Sequence, residues 1–425
     1  MGACGSDLSS PLLPLTNRSK VSKMQVVAKR CAGLDVHKMS IVVTILLEQE
    51  DGTVESKTRT FSTFKRDRRA LASWLMEHHV ELCVMESTGI FWKSPMSTLK
   101  EAGLNVWLVN ARHVKNMPGR KTDVSDSQWL ADLARFGLVK PSFVPEQKVQ
   151  ALRLLSRRRQ SLVKSLRVEK QRLHKCLDDA GIRLGGVVSD IDGVSAREIV
   201  QGLIEGVPIP NLARMAKGRL RKKMKEIADS LDETLSEEHL FLLRQITSLM
   251  GNFKEQIQTI DRELDKRVQS DFSEYWHLLQ TIPGIDKVAA TGVIAEIGVN
   301  IGAFQNGKHL ASWAGFCPGN NESAGKRYSG RTRKGNQWLR TLLCEVAHAA
   351  SRTRCQFKTY YQNMVIRRGK KRSIIAVAHK ILRVIYSMFK SMTEYRDSTV
   401  DYEALLVHRN APRWLKYLKQ YSYIT

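Results

Sequence analysis

Residues 34–47 are crowded with Val, Ile and Leu, which predicts a buried strand, or a strand and its bend. Asp51-Gly52 then supplies a hairpin turn signal, and Val54 to Phe61 reads as the returning strand. Phe64 to His78 has helical apolar spacing. Val80 to Met85 and Val106 to Val109 are short apolar runs, each followed by a helical stretch. Hairpin strands followed by alternating strands and helices predict a mixed α/β sheet in the N-terminal third.

Pro141 and Pro145 mark a change to long polar helices. Leu155, Leu162, Leu166, Leu173 and Leu177 repeat at 7, 4, 7 and 4, and Ile246, Met250, Phe253, Ile257, Ile260 and Leu264 at 4, 3, 4, 3 and 4. Both are coiled-coil seams, which could pair with each other or with another subunit. Between them lie Pro208, Pro210 and the basic run Lys217 to Lys225, either a nucleic-acid contact or a solvated helix face. A third region starts near Leu278. It holds a helical run to Ile297, a Gly-, Asn- and Ser-rich loop from Gly315 to Gly335, and helices over Asn336–Ser351 and Ser373–Met388. Residues 1–25 lack periodicity and read as a mobile arm.

Charge narrows the partner. Lys and Arg total 68 against 42 Asp and Glu in 425 residues, a formal net charge of +26. Such an excess favours a polyanion, because each phosphate contact releases condensed counterions. A basic protein that is merely soluble, such as a ribosome-associated factor, is the bland alternative, and an anionic membrane surface the weaker competitor. No run of 18 apolar residues predicts a transmembrane helix, and no signal-peptide pattern opens the chain. Seven cysteines, an odd number without CxxC spacing, read as reduced thiols packed in cores of a cytosolic protein.

Within this frame four carboxylates stand out. Asp35 sits inside an apolar strand pattern, where a carboxylate is costly unless it is paired or binds a cation. Glu86 ends a second apolar run. Asp123 and Asp126 would share one face if their segment opens a helix. Converging, the four would suit Mg²⁺ or Mn²⁺, hard cations that prefer oxygen ligands and activate phosphodiester displacement. Taken singly, Asp35 could be the buried partner of a Lys or Arg, and Asp123 a helix cap. His37 and Lys38 read as strand-end residues or phosphate-positioning groups rather than ligands.

Gly33-Leu-Asp-Val-His-Lys38, Val84-Met-Glu-Ser-Thr-Gly89 and Lys121-Thr-Asp-Val-Ser-Asp-Ser127, in that order, resemble the RuvC-like DEDD transposases of the insertion-sequence-110 family. Ile282-Pro-Gly-Ile285, the stretch Ala311-Ser-Trp-Ala-Gly-Phe-Cys-Pro-Gly-Asn-Asn-Glu-Ser-Ala-Gly325 and Arg333-Lys-Gly-Asn-Gln-Trp-Leu-Arg340 extend the resemblance to about residues 30–390. The resemblance implies α/β plus mostly-α architecture. An RNase H-like (RuvC-like) domain over residues 26–147 is followed by a coiled-coil helical linker over 148–275. A helical C-terminal transposase domain over 276–395 and a tail over 396–425 complete it. It further implies that Asp35, Glu86, Asp123 and Asp126 are metal ligands. A serine after the Cys-Pro-Gly-Asn-Asn segment, by position Ser323, is implied as nucleophile. Implied partners are donor and target DNA, a structured guide RNA from the element, and further copies of the chain as dimer or tetramer. The setting is the cytoplasm of a prokaryote, at the nucleoid.

Around Ser323 the residues themselves say less. Serine at its free pKa is a weak nucleophile, and no adjacent His or Asp base is evident, which fits activation by metal ions supplied from elsewhere. Lys326, Arg327, Arg331, Arg333 and Lys334 could hold a DNA backbone or stabilise developing phosphoryl charge. Ser329 is the nearest rival, and a flexible basic loop without chemistry is the bland reading. Pro283-Gly-Ile-Asp286 resembles half of a helix-hairpin-helix, or is only a structural turn. Two other functions remain open: a metal-dependent nuclease or junction resolvase without serine chemistry, and a non-catalytic nucleic-acid scaffold.

Overall fold

The structure, a computed structural model, describes residues 26–87, 89–115, 117, 125–319, 321–323, 326–397 and 402–424. The chain divides into two compact units, residues 1–144 and 145–425.

The first unit is built on a five-stranded sheet of order β3-β2-β1-β4-β5. The dense apolar stretch resolves into two strands, β1 (Arg30–Val36) and β2 (Ser40–Glu48), paired antiparallel across a short bend. The Asp51-Gly52 turn returns the chain as β3 (Val54–Ser62), with Gly52 at φ 81°. Helix α1 (Lys65–Glu77) leads to β4 (Leu82–Glu86), which lies parallel to β1. Helix α2 (Lys93–Glu101) leads to β5 (Val106–Val109), parallel to β4. This is the mixed, RNase H-like sheet that the sequence predicts.

Each face of the sheet has its own core. Leu34, Ile41, Val43, Ile45, Cys83 and Met85 pack with Leu71, Leu75, Met96 and Leu99 of α1 and α2. On the opposite face Cys31, Leu46, Leu82 and Val84 pack under α4 (Asp126–Arg135), through Leu130, Ala131, Leu133 and Ala134. A five-residue helix, α3 (Ala111–Lys115), separates β5 from α4.

In the second unit the two seams pair with each other. Helices α5 (Gln147–Asp179) and α10 (Glu237–Asp271) run antiparallel. Ion pairs mark the register: Lys148 with Asp271 at 2.5 Å near one end, Arg159 with Asp261 along the length, and Asp179 with His239 at 3.2 Å near the other. At that far end the chain makes a helical insert of α6 (Leu184–Val187), α7 (Val194–Ile204), α8 (Ile209–Arg214), a 3-10 turn over Gly218–Lys223 and α9 (Met224–Leu231). Ile182, Leu184, Ile191, Ile199, Leu212, Ile227 and Leu231 close a core there with Leu173, Leu177, Leu243 and Ile246 of the hairpin.

Helices α11 (Ser273–Gln280), α12 (Lys287–Ile297) and α13 (Gly307–Trp313) follow α10. A small hairpin, β6 (Asn321–Ser323) with β7 (Lys326–Ser329), precedes α14 (Gln337–Ala350), α15 (Gln356–Arg368), α16 (Lys370–Ser391) and α17 (Tyr402–Gln420). The predicted N-terminal arm lies outside the described residues. Of the described cysteines, Cys31, Cys83, Cys176 and Cys355 are buried and all are free thiols.

Candidate active site

Strand β1 places Cys31, Gly33 and Asp35 on one face, the face that α4 covers. Gly33 is what lets the helix lie so close. A Cβ built there would stand 2.0 Å from the Ser127 carbonyl oxygen and 2.4 Å from the Ala131 nitrogen, so only a residue without a side chain fits. Parallel pairing of Gly33 with Val84 and of Leu34 with Met85 continues towards Asp35 and Glu86, at the carboxyl ends of both strands. Asp126 is the first residue of α4, so its carboxylate also meets the positive end of the helix.

A line of hydroxyls, buried at Thr44 and Ser127 and exposed at Thr58 and Ser125, runs to the start of α4. Thr44 of β2, paired opposite Gly33, bonds Thr58 of β3 at 2.9 Å and Ser127 at 2.8 Å. Ser125 caps the helix by accepting the Gln128 N–H at 3.3 Å, and its hydroxyl lies 3.3 Å from that of Ser127. Nothing in the strand pattern around Thr44 distinguishes it from an ordinary polar strand residue.

These elements bring Glu86 and Asp126 each within electrostatic reach of Asp35. Burial pushes the Asp35 carboxyl above its ordinary 3.8. Nearby His37 opposes the rise, and the charges of Asp126 and Glu86 add to it. His37 Nε2 lies 3.0 Å from Asp35 Oδ2, a pairing the sequence reading did not anticipate. Among the described residues no group of three or more His, Cys, Asp or Glu side chains is placed so that it could hold a metal ion. The fourth carboxylate, Asp123, lies outside the described residues. Helix α4 begins at Asp126, behind the cap Ser125. The oxygens at these strand and helix ends are of the hard type a divalent cation takes, and the charge on Asp35 is favoured by His37 and opposed by Asp126 and Glu86.

Ser323 lies in the second unit, at the end of β6, and Lys326, Arg327 and Ser329 lie on β7. The loop carrying this hairpin is held at its base. Gly319 N–H donates to the Arg331 carbonyl at 2.8 Å, and Pro318 bridges Thr332. Below that, Gly315 and Gly335 meet backbone to backbone: a Cβ on Gly335 would lie 2.5 Å from the Gly315 nitrogen. Arg340 straps the base, donating to the Gly315 carbonyl and the Thr332 hydroxyl, each at 2.8 Å. Lys326, Arg331, Arg333 and Lys334 are exposed.

Sequence reasoning missed the support beneath this loop. Glu296, fully buried within α12, accepts both Nε and Nη2 of Arg157 at 2.8 Å and the Asn336 amide at 2.6 Å. Asn336 in turn caps α14 through the Trp338 and Leu339 N–H groups. One carboxylate thus ties α5, α12 and the exit of the basic loop together. The half helix-hairpin-helix reading is not retained. Asp286 instead caps α12, accepting the Ala289 N–H at 2.7 Å, so the segment is a structural turn into a helix and that donor is taken within the chain. Gly284, at φ 89°, serves close packing, since a Cβ there would lie 2.7 Å from the Val346 carbonyl oxygen.

Residues 32–182 match the family model of the DEDD transposase of IS110, and residues 276–362 match that of the IS116/IS110/IS902 family of transposases. The chain belongs to the IS110 family of transposases. It is 26% identical over 309 residues to the transposase for insertion sequence element IS1111A of Coxiella burnetii, covering 70% of this chain and 75% of that one. It is 33% identical over 117 residues to a pilin gene-inverting protein of Moraxella bovis, covering 27% of this chain and 36% of the relative. Among solved structures it is similar to Thermus thermophilus RuvC, at 15% identity and a TM-score of 0.21, over 27% of this chain and 99% of RuvC.

Proposed function

We propose that this transposase cuts and rejoins DNA at an insertion sequence through two cooperating centres. Asp35, Glu86, Asp123 and Asp126 would hold divalent cations, Mg²⁺ or Mn²⁺, and Ser323 would be the nucleophile. The observation that carries the reading is the gathering of Asp35, Glu86 and Asp126 where β1, β4 and α4 end or begin. A bound cation would supply charge neutralisation at the phosphate and lower the pKa of an attacking hydroxyl.

The chain's own residues account for the rest. Ser323 Oγ forms a bond to phosphorus, the bond from phosphorus to the leaving strand's oxygen breaks, and the serine proton passes to solvent or base. Attack by a second strand's hydroxyl reverses these changes and releases the serine. Lys326, Arg327, Arg331, Arg333 and Lys334 grip the DNA backbone on either side. The serine and the acidic centre belong to different compact units. In this reading copies of the chain assemble on DNA as a dimer or tetramer, and a structured guide RNA chooses donor and target in the prokaryotic cytoplasm.

The test is a covalent adduct. Purified protein is incubated with element-end DNA, flanking element RNA and Mg²⁺, then denatured and resolved by mass. An adduct lost in Ser323→Ala, kept in Ser329→Ala and absent with chelator is expected. Joined product without any adduct would instead assign a metal-only nuclease or resolvase chemistry.

A further inference from the structure

Helix α7 of the insert lies antiparallel to α10 of the long hairpin. Arg244 donates to the Ile204 carbonyl at one end, and Lys254 pairs with Asp192 at the other. Between the two helices the fold leaves a cavity of about 630 Å³, within the range of small-molecule sites. Its floor is the buried Leu173, Ile191, Val200 and Met250, with Met215 beside them. We propose that this cavity binds an amphipathic monocarboxylic acid with an apolar body like that of a medium-chain fatty acid. Its carboxylate would sit at Arg197 and Lys254. The proposal does not depend on the catalytic reading above.

Two glycines line the cavity, and they differ in kind. Gly202 of α7 is required by packing, since a Cβ there would stand 2.6 Å from the Leu212 side chain. Gly251 lies inside the 35-residue α10, where glycine weakens a helix. A Cβ on Gly251 would meet no atom within 4 Å, so no neighbour in the chain requires the side chain to be missing. Its absence leaves the cavity wall open. Along α10 the cavity runs from Thr247 to Lys254, roughly 10 Å of helix.

Charge is distributed unevenly along this length. At the Lys254 end the Asp192 carboxylate, 7% exposed, meets three cations: Lys254, Lys170 at 2.8 Å and Arg197 at 3.9 Å. Asp190 adds a second carboxylate, 3.7 Å from Lys170, so cations outnumber acids there. Arg197 is the loosely held member, half exposed, and a guanidinium fork takes a carboxylate through two parallel hydrogen bonds. At the Thr247 end Glu205 accepts the Gln201 amide at 2.6 Å, and midway Glu198 is neutralised by Lys217. An anionic head is therefore drawn to Arg197 and repelled from Glu205, which selects one orientation. The apolar floor suits a chain rather than a hydrophilic anion, and Met215 and Met250 can adapt to its shape.

The experiment titrates sodium decanoate, below its micelle-forming concentration, into the full chain by calorimetry. Decanol, decylamine and acetate are titrated beside it. Decanoate should bind at one site per chain, about ten-fold or more tightly than decanol, and decylamine and acetate should give no saturable heat. Arg197→Gln, at an exposed position, should weaken decanoate about ten-fold and leave decanol unchanged. Gly251→Leu should raise the Tm of the free protein, by restoring a helix-forming residue, and abolish decanoate binding by filling the cavity. Should Gly251→Leu fail to fold, Arg197→Gln and the head-group series still decide. Decylamine binding as tightly as decanoate overturns the proposal. So does decanoate binding that neither variant changes, or no saturable decanoate binding at all. Neither DNA nor metal is present, so failure of the adduct test and failure of this one are separate results.

Discussion

Gly33→Ala isolates the geometry on which the acidic centre rests. The new methyl carbon would stand 2.0 Å from one backbone atom of α4 and 2.4 Å from another, where ordinary van der Waals contact begins at 3.4 Å. Backbone cannot rotate aside as a side chain can, so α4 must withdraw from β1 by about 1.4 Å or tilt by an equivalent amount. Overpacking of this kind costs about 1–3 kcal/mol. The larger effect is on chemistry: Asp126 rides on the first turn of α4 and moves with it, whereas Asp35 and Glu86 stay on the sheet. A displacement near 1 Å at reacting groups costs about 100-fold in rate. The assay is strand cleavage of element-end DNA at saturating Mg²⁺, with urea unfolding on the same samples. Leu130→Ala serves as control, since it loosens the same interface without pushing the helix outward. Cleavage by Gly33→Ala within two-fold of wild type, at unchanged stability, would refute the argument that this close approach sets the site.

Two further outcomes follow from charges in the two units. Glu296→Ala should cost about 3–5 kcal/mol, because it strands Arg157 and the Asn336 amide around a buried gap; a loss under about 1 kcal/mol by chemical unfolding would contradict the clamp. For Asp35, the folded pKa lies above the unfolded 3.8, so the stability tied to its proton is complete below 3.8 and is lost as pH rises through the folded value. Asp35→Asn does not titrate, so its Tm should gain on wild type across that window while cleavage is abolished at every pH. A Tm difference that stays flat or shrinks with rising pH would show that burial of the charge is not the dominant effect.

What was legible in the sequence follows from what leaves a local trace. Strands β1 to β5 announced themselves by apolar density and by Asp51-Gly52, and the two long helices by their seams, although only folding revealed that the seams face each other. Asp35 and Glu86 were visible as charges at the ends of apolar runs. The surroundings that make them a site were not. Gly33 acts by lacking a side chain, Thr44 and Ser127 act by meeting between β2 and α4, and Glu296 sits inside a helical apolar run while its partner Arg157 is 139 residues away. The basic run from Lys217 to Lys225 was legible as charge. That its backbone is pinned by Ser195 and Leu220 required the fold.

The meeting of Gly315 with Gly335 has an evolutionary consequence. The chain enters and leaves the serine-bearing loop through one backbone clasp, strapped by Arg340. Changes in length beyond the Pro318–Thr332 bridge can therefore be taken up without moving the clasp, while the buried Phe316 and the Arg340-bound Thr332 belong to the mounting. Such a loop behaves as a cassette whose mounting is inherited while its outer stretch varies.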